Sequence, residues 1–125
     1  MRAKVLLYRL DGGTENGAKL RAILREMKIL TLTVEANQIN ETVGRLVSTN
    51  AAASDAAPPE NAPEAEFMLL CALGDKQLDR LIANMRRAGV SVPYKAVLTE
   101  HNRDWQFGKL IGEIIREHEF LKSLH

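Results

Sequence analysis

The chain has 125 residues, 46% hydrophobic and 26% charged, which suits one globular domain and argues against a disordered chain. Basic and acidic residues balance in both halves, eight to seven over residues 1–62 and nine to nine over 63–125, so there is no positive excess of the kind that marks a nucleic-acid or membrane-surface binder. A single cysteine, Cys71, excludes an internal disulfide, and the longest apolar run, residues 67–73, is too short to cross a bilayer.

Residues 5–10 form a short apolar run closed by Asp11-Gly12-Gly13, the pattern of a buried strand and a tight turn. Leu20, Ile23, Leu24 and Met27 then recur at helical spacing, with Lys19, Arg21, Arg25 and Lys28 on the opposite face. Residues 30–34 alternate Leu with β-branched residues and predict a second strand. Ile39, Val43, Leu46 and Val47 make a second, shorter helical stripe.

The pattern then restarts. Residues 67–73 predict a buried strand ended by Gly74, and Asp75 is placed to cap the next helix. That helix carries Leu78, Leu81, Ile82 and Met85, and Gly89 is its left-handed end. Residues 94–98 predict a fourth strand. Phe107, Leu110, Ile111, Ile114, His118 and Leu121 mark a long last helix, with His118 expected to be partly buried.

The halves align. Val34-Glu35-Ala36-Asn37 matches Thr99-Glu100-His101-Asn102, and Gly44-Arg45-Leu46-Val47 matches Gly108-Lys109-Leu110-Ile111, with one extra residue in the first copy. Ile23, Leu24 and Met27 match Leu81, Ile82 and Met85. The reading is a single domain over residues 1–125, made of a duplicated β-α-β-α unit (1–48 and 66–125). Residues 49–65, rich in Ala and Pro, are expected to form a flexible linker.

Strands alternating with helices predict an α/β fold with a four-stranded, mainly parallel sheet in the order 2-1-3-4 and helices on both faces. A pseudo-twofold axis along the strands would place the first and last helices on one face and the middle two on the other. A doubly wound sheet binds ligands beyond the carboxyl ends of its strands, where the winding reverses. Gly12, Gly13, Gly74 and Asp75 would line that crevice, with residues 99–105 as its wall.

Gly12-Gly13-Thr14 is either a plain turn or a phosphate cradle at a helix N-terminus. Residues 94–105 hold the only Trp and several hydrogen-bonding groups. Lys95 sits either at a sheet edge with its ammonium in water or against an anion. Asn102 and Asn37 are expected as helix caps, with Thr99 in the same role, and Trp105 anchors packing or offers a binding surface. Cys71 is expected to be buried and inert. His101, His118 and Asp104 lack diagnostic metal spacing, so no metal and no cofactor is assigned.

The stretch from Tyr94 through Lys95, Ala96, Leu98, Thr99 and Asn102 to Trp105 follows an amphipathic helix ending in Gly. With that helix it resembles a small bacterial domain family of unknown function, over residues 67–121. The resemblance implies an α/β domain and makes Lys95, Thr99, Asn102 and Trp105 the leading site candidates.

The favoured reading is a non-catalytic, cytoplasmic module that binds a ligand or a protein and uses neither nucleic acid nor membrane. It would be a homodimer through the last helix, where Ile115, Phe120 and Leu124 fall off the main stripe. A small anionic ligand is a further expectation. The alternative is an enzyme or a nucleotide- or phosphate-binding protein using the crevice.

Overall fold

A computed structural model describes residues 2–49 and 57–124. In chain order it has β1 (Lys4–Tyr8), α1 (Glu15–Glu26), β2 (Leu30–Val34), a 3-10 turn (Ala36–Gln38), α2 (Val43–Thr49), β3 (Phe67–Cys71), α3 (Asp75–Ala88), β4 (Tyr94–Val97) and α4 (Phe107–Ser123). The strands form one sheet in the order β2-β1-β3-β4, as the alternation predicts.

The outer pairs, β1 with β2 and β3 with β4, are parallel, but the central pair β1–β3 is antiparallel. Leu6 faces Leu69 at the middle of that pair. An approximate twofold axis therefore stands normal to the sheet between these leucines, not along the strands. Such an axis keeps each helix on its own face. α1 and α3 share one face, packing Leu20, Leu24, Leu81 and Met85 on Val5, Leu7, Met68 and Leu70. α2 and α4 share the other, packing Val43, Leu46, Phe107 and Ile111 on Leu6, Tyr8, Phe67 and Leu69. The expected grouping of first with last helix is corrected on that ground.

The same axis governs the α2–α4 face. Thr42 pairs with Gln106 in an antiparallel bridge. Around it the bonds come in twos: Val43 N–H to Trp105 C=O (2.8 Å) with Phe107 N–H to Glu41 C=O (2.9 Å), and Gly44 N–H to Arg103 C=O (2.7 Å) with Gly108 N–H to Ile39 C=O (2.8 Å). The halves approach closely at Gly44 and Gly108: an added Cβ would lie 3.1 Å from the Arg103 carbonyl oxygen at Gly44 and 3.3 Å from Ile39 at Gly108.

Left-handed backbone follows the same pattern. Arg9 (φ 62°) ends β1 and Ala72 (φ 60°) ends β3, while Lys28 (φ 59°) follows α1 and Gly89 (φ 76°) follows α3. Ile29 N–H returns to Leu24 C=O as Val90 N–H returns to Met85 C=O. Leu20 and Leu24 thus correspond to Leu81 and Met85, which moves the sequence alignment of these helices by one turn.

Local chemistry sets the ends. Thr14 caps α1 by accepting the Gly17 N–H at 3.0 Å. The cap of α3 is Gly74, not Asp75, which is the first helical residue and favours the positive end of the helix dipole. Of the expected linker, residues 50–56 lie outside the described residues. Its later part is tied down, because the Pro63 carbonyl accepts from Tyr8 Oη (2.6 Å) and Arg9 Nε (3.1 Å).

Candidate functional site

The antiparallel centre separates the residues assigned to one crevice. Tyr8, at the carboxyl end of β1, faces Phe67, where β3 begins. Gly12 and Gly13 therefore lie at one end of the sheet, and Gly74 and Asp75 at the other with Thr99. The carboxyl ends of the two central strands do not meet, and no single switch-point crevice forms between them.

At the first end the turn is already occupied by its own side chains. The Asp11 carboxylate accepts the Gly13 N–H at 2.8 Å, and Thr14 accepts that of Gly17. A carboxylate stands where a phosphate would have to bind.

At the second end, Thr99 and Asn102 build the loop. The Asn102 side chain accepts the Thr99 N–H at 2.9 Å and donates to the Val97 carbonyl at 3.0 Å, while Thr99 Oγ1 accepts the Asn102 N–H at 3.0 Å. Asn102 is 8% exposed and closes the end of β4. The residue before α4 is Gln106, so the expected helix-capping role of Asn102 is corrected. In the first half Gln38, also buried, accepts the Glu35 N–H at 2.8 Å. The counterpart of Asn102 is thus Gln38 and not Asn37, and the extra residue in the first copy is not needed.

Trp105 is half-buried against the α2–α4 core, with His101 edge-on at 5.2 Å and the Lys109 ammonium over its ring at 4.7 Å. His118 is exposed rather than partly buried and stacks edge-on with Tyr94 at 5.1 Å. The Tyr94 hydroxyl also donates to the carboxylate of the next residue, Glu119, at 3.5 Å. Among the described residues no three His, Cys, Asp or Glu side chains gather as a metal site would need. Cys71 is buried, and desolvation pushes its thiol up to about 11 against the smaller, opposing pull of Lys4. Such a thiol is a poor nucleophile.

Lys95 lies on the outer strand and its ammonium donates to the Val92 carbonyl at 3.1 Å. It borders a groove of about 530 Å³ between α3 and β4, where Leu78, Ile82 and Ala83 face Val97. Val97 is 52% exposed. Lys95 is the sole member of the eight predicted site residues that lines this groove.

A matching groove of about 600 Å³ lies between α1 and β2, and sequence reasoning missed it. Arg2, Arg21, Arg25 and Lys28 line it with Leu30 and Thr31. Arg21 and Arg25 stand where α3 has Ile82 and Arg86. One signal was available: Lys28 stands where the second half has a glycine.

Residues 66–121, a little under half of the chain, match a family described as a domain of unknown function (DUF3783). The match spans the second β-α-β-α unit, where the sequence resembles a family without assigned activity. No curated protein and no solved structure matches the chain.

Proposed function

We propose that this protein is a non-catalytic binding module that acts as a homodimer through α4. The observation that carries this is the end of α4. The helix is 17 residues long, yet every residue from Arg116 to Leu124 is exposed, with Phe120 at 63%, Leu121 at 51% and Leu124 at 65%. A projecting helical end gains little from propensity alone and is normally held by packing. A second copy, running antiparallel, would cover these apolar residues and bring Lys122 towards Glu117 and Glu119 of its mate. Tyr94 and His118, stacked beside the helix, would extend the interface.

The groove beside β4, with Lys95 at its rim, is the ligand-facing surface in this reading. Thr99, Asn102 and Trp105 shape the loop at its end. Gly74 and Asp75 start α3, whose side chains form one wall. We read the two halves as copies of one ancestral unit, a reading supported by the paired bonds at Thr42 and Gln106 and the paired left-handed residues. We place the protein in the cytoplasm, which suits a buried free thiol.

Sedimentation of the full chain tests the dimer. The wild type is expected to sediment as a dimer at micromolar concentration, and Phe120→Asp with Leu124→Asp as a folded monomer that still unfolds cooperatively, with a melting temperature that no longer depends on concentration. A wild type that stays monomeric at every concentration would sink the proposal.

A further inference from the structure

The groove between α1 and β2 carries an inference that goes beyond the dimer and its β4 groove. Four cations converge on it from three segments: Arg2 before β1, Arg21 and Arg25 on α1, and Lys28 in the turn after it. No carboxylate lines it among the described residues. The ion pairs of the described residues lie elsewhere, at Lys19–Glu15, Arg45–Glu41, Arg103–Glu100 and Arg116–Glu113. Arg2, Arg25 and Lys28 are exposed and Arg21 is half-buried, so the groove presents positive charge to solvent, where it would attract an anion. The carboxyl end of α1 accounts for one such cation through the helix dipole, but not for four.

Two further features point to a ligand. Arg21 is held in place, its Nε donating to the Leu10 carbonyl at 2.8 Å and its Nη2 to Thr33 Oγ1 at 3.0 Å. Lys28 is kept in left-handed backbone (φ 59°) at a position where glycine is the unstrained choice and where the second half uses Gly89. Lys28 thus places an ammonium at the groove at a position where glycine would carry less strain.

We propose that this groove binds an oligophosphate, a ligand with adjacent phosphoryl groups. Its volume is that of a small-molecule site. Guanidinium groups match phosphate oxygens in pairs, and Arg2, Arg21 and Arg25 all line the groove. No aromatic ring lines it among the described residues, so recognition rests on phosphate and not on base stacking.

Titration calorimetry of the full chain at fixed salt tests this with orthophosphate, inorganic triphosphate, ATP and a short oligothymidylate. Triphosphate or ATP is expected to bind at least about tenfold more tightly than orthophosphate, and the tighter of the two names the source. Arg25→Gln and Lys28→Gly should each weaken that binding by about tenfold. Lys28→Gly should at the same time raise the melting temperature, which separates lost contact from lost fold. The proposal falls if no polyphosphate binds saturably, if both variants bind as the wild type does, if orthophosphate binds equally well, or if oligothymidylate binds far more tightly through the same residues.

Discussion

The two grooves occupy equivalent places, each between a helix and an outer strand, and differ in almost every lining side chain. Beside β4 the walls are Leu78, Ile82 and Val97 with Arg86 and Lys95 at the rim; beside β2 they are Arg21, Arg25 and Thr31, so that of the paired helix positions Arg25 and Arg86 alone keep their charge. The buried layer beneath them is alike, Leu20 and Leu24 under one and Leu81 and Met85 under the other. Backbone and core are thus held in common, and the rims alone differ. The lesson is that a shared scaffold says where a site lies and not what it binds.

The largest test of that equivalence is in the core. Leu20→Ala and Leu81→Ala, both at fully buried positions, should each cost about 3 kcal/mol in urea unfolding. A pair of values differing by more than half would break the comparison. Next is the loop after β4. Asn102→Ala leaves the Thr99 N–H and the Val97 carbonyl without a partner and should cost about 2 kcal/mol by the same measurement. A loss near zero would mean that water replaces the side chain.

The helix ends give a smaller and signed effect. Lys28→Gly should stabilise by about 1 kcal/mol and Gly89→Lys should destabilise by about as much, read as opposite shifts in melting temperature. Shifts of the same sign would show that the two turns are not equivalent.

The last effect is absent at neutral pH. Burial raises the Cys71 thiol from its ordinary 9.0 to about 11, so the folded state holds its proton longer than the unfolded chain. The stability this gives is complete below about pH 9 and is lost as pH climbs through about 11. Cys71→Ala should remove that part of the alkaline loss, measured by unfolding across the range, and an unchanged profile would refute it.

Much of the architecture was legible because apolar spacing reports it directly. Residues 30–34 are β2 to the residue, and the strand order follows from pairing the two central apolar runs. Direction was not legible. β1 and β3 are covered on both faces, so their apolar runs read the same either way, and the intervening residues 50–65 are numerous enough to deliver β3 in either sense. That one reversal moved Gly12 and Gly13 away from Gly74 and Asp75. Asn102 was matched to Asn37, because the match relied on residue type; the buried Gln38 takes its place with a longer side chain. The basic groove was hidden by balanced charge counts, since Arg2, Arg21, Arg25 and Lys28 converge only once α1 has folded back over the sheet.

The twofold also decides which positions are free to change. Leu6 meets Leu69, and Thr42 meets Gln106, so each of these is fitted against its own counterpart. A substitution on the axis is felt by both halves together. The outer grooves lie away from it, beside β2 and β4, and each can acquire its own chemistry while the seam stays as it was.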